Sequence, residues 1–260
     1  MIDLATMTLG RGLHGSREVS FTEAVARFAD EPHTAEPVCM SPVLAEYGRW
    51  LSYELPDEAR QSLIPLIPLM PGTAADGLDE ARKFLALDWL VRVYAPMWLD
   101  LAHPLSDAEL SESAAELRSL QSITRSLDFR VTGPVLDTAR GRATLASLAW
   151  DGSQAIDVEL AATAAEFVFQ TCRNITHNVA GPALSATGDD SELTWSNVIA
   201  VTEAAITVVA GPLWDAARTA KSAETATRNA LTPTIITLQA SAVELMRTMI
   251  NPESSTWTDY

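Results

Sequence analysis

Asp88 and Arg92 lie one helical turn apart in the stretch Phe84-Leu-Ala-Leu-Asp-Trp-Leu-Val-Arg-Val-Tyr-Ala-Pro-Met-Trp-Leu-Asp-Leu-Ala102, with Trp89 and Trp98 beside them. A carboxylate four residues before a guanidinium is a well-oriented intrahelical pair. A helix that is apolar on nearly every side belongs in a core, and there such a pair is either a structural clasp or a working site. As a site, Asp88 is an acid or base group and Arg92 holds an anion. As a clasp, the pair satisfies itself and nearby backbone, with Glu46 or Arg49 as further partners. Ala81 and Ala95 flank the pair and leave room for another backbone to approach. The clasp is the expected reading.

A second concentration of polar groups is Thr171-Cys-Arg-Asn-Ile-Thr-His-Asn178. Arg173, Asn174, His177 and Asn178 fall within two turns of an otherwise apolar helix; they line a pocket or form a solvated face, and the solvated face is expected. With Asp88, Trp89 and Arg92 they complete the set of candidate pocket residues. No catalytic residue is assigned.

Metal and nucleophile chemistry find little support. His14, His33, His103 and His177 have no partner at metal-ligand spacing, and the Glu-x-x-His pairs of helical di-iron sites are absent. Gly188-Asp189-Asp190 resembles acidic pairs that hold magnesium, but its glycine-led setting reads as a turn and N-cap. Cys39 precedes a helix N-terminus, which can lower a thiol pKa, yet no histidine base goes with it. Cys39 and Cys172 form neither a CxxC motif nor a disulfide framework. No nucleophile elbow, phosphate-binding loop or dinucleotide fingerprint occurs. No metal and no cofactor are expected.

The elements that must position these residues read as helices throughout. Ser20-Phe-Thr-Glu23 has capping-box spacing, and Pro32 and Pro37 stop the short helix it starts. Ser41-Pro42 is an N-cap followed by proline at the first helical position. Pro65, Pro68 and Pro71 recur every third residue among bulky aliphatics, which predicts a kinked or 3₁₀ segment buried against the core. Pro96 kinks or ends the helix that begins at Asp79-Glu80. Ser106-Asp-Ala-Glu109 starts a short helix to about Arg118, and 119–133 reads as a connector. Gly133-Pro134 launches the next helix, which Gly152 ends. Two further helices carry buried faces at Ile156 to Ile175 and Trp195 to Val209, and the last starts at Thr232-Pro233. Val179-Ala-Gly-Pro182 and Val209-Ala-Gly-Pro212 read as two similar helix breaks.

No segment alternates with period two between hairpin turns. The expected fold is all-α, a single large helical bundle of about 8–10 helices. Residues 1–40 form an N-terminal extension with one short helix, 41–250 the helical domain with a sub-boundary near 119–133, and 251–260 a frayed tail.

A net charge of −16 argues against nucleic acid and anionic membrane surfaces, both of which need surplus Lys and Arg. Met1-Ile-Asp-Leu has no basic start followed by an apolar run, and no uncharged apolar stretch of about 18 residues is evident, so a cytoplasmic protein is expected.

At Cys39-Met-Ser-Pro-Val-Leu44, Leu66-Ile-Pro68, Leu87-Asp-Trp-Leu-Val-Arg92, Pro96-Met-Trp-Leu99 and Leu238-Gln-Ala-Ser-Ala242 the chain resembles a group of all-helical proteins of high-G+C Gram-positive bacteria. The resemblance covers residues 35 to 102 and the final helix, departs over 140 to 215, and implies a fold unit without a chemistry. The function expected is that of a soluble helical accessory module that binds a partner protein or oligomerises. The alternative is a small-molecule-binding protein or enzyme of secondary metabolism, with its pocket between the Asp88/Arg92 helix and the Arg173–Asn178 strip.

Overall fold

The computed structural model describes residues 3–12, 18–102, 109–148, 158–187 and 192–252. Among them the protein is all-α, and the one β-type contact is an isolated parallel bridge between Leu9 and Val19. The α-helices are α1 Phe21–Phe28, α2 Pro42–Glu54, α3 Asp57–Arg60, α4 Asp79–Trp89, α5 Ala95–Ala102, α6 Glu109–Ser119, α7 Ser126–Leu148, α8 Val158–Ile175, α9 Gly181–Thr187, α10 Glu192–Asp215 and α11 Ala220–Ile250. Short π-turns, Leu90–Tyr94 and Thr176–Ala180, join α4 to α5 and α8 to α9. The chain divides into two compact units. The first is Met1–Leu87, Gly181–Gly188 and Gln239–Tyr260; the second is Asp88–Ala180 and Asp189–Leu238.

In the first unit, local signals set the helix starts. Ser20 and Glu23 form a reciprocal capping box. Ser41 Oγ accepts from Leu44 N at 3.3 Å and donates to the Asp79 carboxylate, so one hydroxyl caps α2 and ties it to the first turn of α4. The proline repeat is a 3₁₀ helix, Gln61–Leu69. Three residues per turn put Pro65 and Pro68 on the solvent side and bury Leu63, Leu66 and Ile67, as their spacing predicts. Gln61 then acts as a strand partner would, accepting from Leu9 N at 2.9 Å and donating to Leu9 O at 3.0 Å.

Two buried arginines hold this unit together. Arg60 Nη2 donates to Leu55 O at 2.6 Å, its Nε donates to Ser52 O, and its Nη1 pairs with Asp57 at 2.7 Å. It thereby satisfies carbonyls that the end of α2 leaves open. Arg82 is fully buried and pairs with Asp76 and Asp79, and its Nε donates to Met249 O at 2.9 Å in the last turn of α11. Both are caps for helix C-termini that the sequence does not announce.

Gly48 is where α2 permits a close approach. A Cβ there would stand 2.8 Å from Met246 Cε and 2.9 Å from Phe21 Cδ1. Gly48→Val is expected to cost about 1–3 kcal/mol through overpacking, measured as a lower denaturation midpoint.

In the second unit α10 is central and packs against α5, α7 and α8. That position explains its composition, because a helix surrounded by others is apolar all round. Trp195–Asp215 reaches a mean hydropathy of 1.4 and is long and apolar enough to cross a membrane, though Glu203 and Asp215 interrupt it, so it is not the uncharged stretch that the sequence reading found absent. Within the fold, 61% of that window is buried, as suits a core helix.

Several helix boundaries differ from the sequence reading. α7 starts at Ser126 and passes through Gly133-Pro134, so the connector is only 120–125. α11 starts at Ala220 and passes through Pro233. Pro212 lies inside α10, and Pro96 falls in the first turn of α5. Pro134, Pro212 and Pro233 are all exposed, and at Pro134 and Pro233 the residues whose carbonyls lose a donor, Arg130 and Asn229, are exposed too, so those carbonyls can turn to water. The Ser106-Asp-Ala-Glu109 start, the Gly152 stop, Gly188-Asp189-Asp190, His14, His103 and the tail beyond residue 252 lie outside or partly outside the described residues.

Candidate functional site

Asp88 sits in the last turn of α4, and Arg92 in the π-turn that follows. Asp88 is 3% exposed; its Oδ1 accepts from Ile123 N at 2.8 Å, and its Oδ2 lies 3.3 Å from Arg92 Nη1. Arg92 Nη1 also donates to Ser122 Oγ at 2.7 Å. The pair therefore grips the connector between α6 and α7. Burial raises the Asp88 pKa, opposed by the Ile123 N–H and by the Arg92 charge. Glu46 and Arg49, the partners suggested by sequence, instead pair with each other, while Glu46 accepts from Trp50 and Arg49 reaches Glu36. Trp89 is fully buried with its ring 5.7 Å from that of Tyr94, a core position.

The second strip faces outward. Arg173, Asn174 and His177 are exposed and Asn178 is half-buried, while Thr171, Cys172, Ile175 and Thr176 of the same helical run turn inward. Asp88 and Arg92 bond each other, Ser122 and Ile123, so the two halves of the candidate pocket are not joined through them.

The sequence reading missed the polar groups that do meet. Tyr94 ends the first π-turn, Thr176 begins the second, and around them stand Cys172 of α8, Trp98 of α5 and Thr202 of α10, all buried. Tyr94 Oη lies 3.2 Å from Thr202 Oγ1. Thr202 Oγ1 has two acceptors for its single proton, Val198 O at 2.8 Å and the Tyr94 phenol oxygen. Cys172 Sγ is 3.8 Å from Thr176 Oγ1 and donates to Ile199 O at 3.7 Å. Burial pushes the Cys172 thiol up to about 11 and the Tyr94 phenol far above its usual range, so both stay protonated at neutral pH. The Cys39 thiol is likewise raised to about 11, first by burial and then by Glu31. Neither thiol is a ready nucleophile. Neutral hydrogen bonds tie the first π-turn and α8 to α10, and Trp98 of α5 joins by an edge contact with the Tyr94 ring, centroids 6.1 Å apart. Among the described residues, no group of three or more His, Cys, Asp or Glu is placed to hold a metal.

The surface carries a different signal, on α7. Leu127, Val131, Pro134, Thr138, Gly141, Leu145 and Leu148 alternate spacings of four and three residues, and every one of them is exposed. Such spacing is the a/d seam of a left-handed helix pair. The four large members are 56%, 68%, 68% and 61% exposed, an unusual amount of bare aliphatic surface on one helix. The opposite face buries Thr132, Leu136, Ala139 and Ala143, and α7 packs there on α6 and α10. A helix predicted to start at Gly133 omits Leu127 and Val131, which hides the repeat. Spacing over Ser126–Leu148 was the signal available. A shallow open groove lined by Thr219, Lys221, Ser222, Thr225, Ala226 and Asn229 lies at the start of α11.

No family model matches this chain, and no curated protein or solved structure is similar to it.

Proposed function

We propose that the protein is a helical binding module that works by association along the exposed face of α7. The observation that carries this reading is the seven-position seam with its four bare aliphatic side chains, which the chain's own core leaves uncovered. A contiguous apolar strip on a soluble surface marks an interaction site far more often than scattered single residues do. The engagement of Asp88 and Arg92 with Ser122 and Ile123 supports association over a small-molecule pocket at that pair.

Photo-crosslinking amino acids placed at Val131 and Leu145, with Val38 as an isolated exposed apolar control, test the reading in cells. Adducts at 131 and 145 but not at 38 are expected. Equal labelling at all three positions, or none at the seam, overturns it.

A further inference from the structure

We infer that the occupant of the α7 seam is α7 of a second copy of this chain, laid antiparallel across a two-fold axis at Thr138. The inference rests on the reading of α7 as an association face and names its partner.

Residue size along the seam is what makes it self-complementary. Its order is large, large, small, small, small, large, large: Leu127, Val131, Pro134, Thr138, Gly141, Leu145, Leu148. A two-fold axis through Thr138 sets Leu127 opposite the second copy's Leu148, Val131 opposite its Leu145, and Pro134 opposite its Gly141. Every large residue meets a large one, and the small centre lets the two backbones close. That is the isologous geometry of a two-fold contact, in which one patch serves both sides.

Gly141 adds an independent argument. A Cβ on it would meet nothing within 4 Å, so the chain's own packing does not require glycine there. Glycine inside a helix is unfavourable relative to alanine. An approaching helix supplies the reason for its absence of a side chain.

Charge points the same way. The protein carries a net −16, which keeps copies apart over most of the surface. α7 departs from that balance, with Arg130, Arg140 and Arg142 against Asp128 and Asp137, a net +1 that α11 shares. Asp137, beside the axis, is held by Arg140 at 2.7 Å, which offsets its repulsion from the second copy's Asp137.

The area sets the strength. The 23 residues of α7 span about 34 Å, and a contact about 10 Å wide covers roughly 340 Å² of each copy. Standard stable interfaces cover about 800 Å² per partner. The dimer is accordingly a weak one that dissociates on dilution.

Sedimentation of the purified full chain from about 1 to 300 µM tests this. Expected are a mass that doubles with concentration, on the order of a 100-fold weakening in V131E/L145E, and unchanged helical circular dichroism in that variant. Gly141→Ala is expected to raise the melting temperature of the dilute monomer and weaken association several-fold. In a Cys39→Ser background, mixing Leu127→Cys chains with Leu148→Cys chains is expected to give disulfide-linked dimers that neither gives alone. A monomer at every concentration overturns the second copy as occupant, as does a dimer indifferent to V131E/L145E. Crosslinking of either cysteine variant with itself in place of the mixture overturns the antiparallel register. A monomer in solution combined with seam-specific adducts to another chain in cells leaves the association reading standing; loss of those adducts as well removes both.

Discussion

Arg82→Met is expected to lower the stability of the protein by about 3–5 kcal/mol, against a total on the order of 5–15 kcal/mol for a folded domain. The guanidinium is fully buried and serves Asp76, Asp79, the Thr73 carbonyl and the Met249 carbonyl together. Methionine matches its stem and removes every donor. Two carboxylates then face each other without a cation, and the end of α11 loses its cap. The pH dependence carries a second signature. Arg82, chiefly through its hydrogen bonds, holds the Asp76 carboxyl below its ordinary value of 3.8. A depressed carboxyl pKa contributes stability above the unfolded value and loses it as pH falls through the folded one. Wild type therefore weakens on the acid side of pH 3.8 through this group, and the Arg82→Met protein lacks that component. Urea denaturation at neutral and acid pH measures both effects. A loss under about 1 kcal/mol rejects the cap as a structural keystone.

Asp88 is the second position where a large effect is expected, and its sign with pH is reversed. Asp88→Leu leaves the Ile123 N–H without an acceptor and Arg92 without its counter-charge, a loss of about 3–5 kcal/mol. Asp88→Asn keeps a carbonyl for Ile123 and is expected to lose only about 1 kcal/mol. Burial raises the Asp88 pKa, so its contribution is full below the unfolded value of 3.8 and is lost as pH rises through the folded value. The stability advantage of wild type over Asp88→Asn should then shrink from acid to neutral pH. The double variant Asp88→Leu with Arg92→Met removes both charges and is expected to recover much of the single-variant loss. Unfolding curves for the four proteins decide it; an advantage that grows with pH contradicts the raised pKa.

Much of the fold is legible in local chemistry. The hydroxyl at Ser20 and the Ser41-Pro42 pair start their helices as their residue types dictate. The period-three prolines yield a 3₁₀ helix, which repeats its faces every three residues and lets the bulky aliphatics between the prolines turn to the core. The boundaries at Pro134 and Pro233 were illegible for a physical reason: proline breaks a helix when the freed carbonyl is buried, and exposure is a tertiary property. The clasp at Asp88 and Arg92 was legible as a pair, but its partner, the connector at Ser122 and Ile123, is 30 residues or more away in the chain. Arg60 and Arg82 look like any surface arginine in the sequence, and only their placement beside helix ends reveals what they cap. The Tyr94 cluster draws on three stretches of chain: Tyr94 with Trp98, Cys172 with Thr176, and Thr202; helical spacing relates the members of each pair, but none connects the three stretches.

The two π-turns also describe how this chain counts. A π-turn is an α-helix that has taken in one extra residue, and it moves everything after it by about 100° around the axis. Tyr94 and Thr176 come from such turns, so the meeting of Tyr94 with Thr202 and of Thr176 with Tyr94 and Cys172 depends on residue number as much as on residue type. Shortening either helix by one residue would preserve its composition and apolar content almost entirely, yet would swing those side chains out of their cluster. At these two points the fold is more sensitive to length than to substitution.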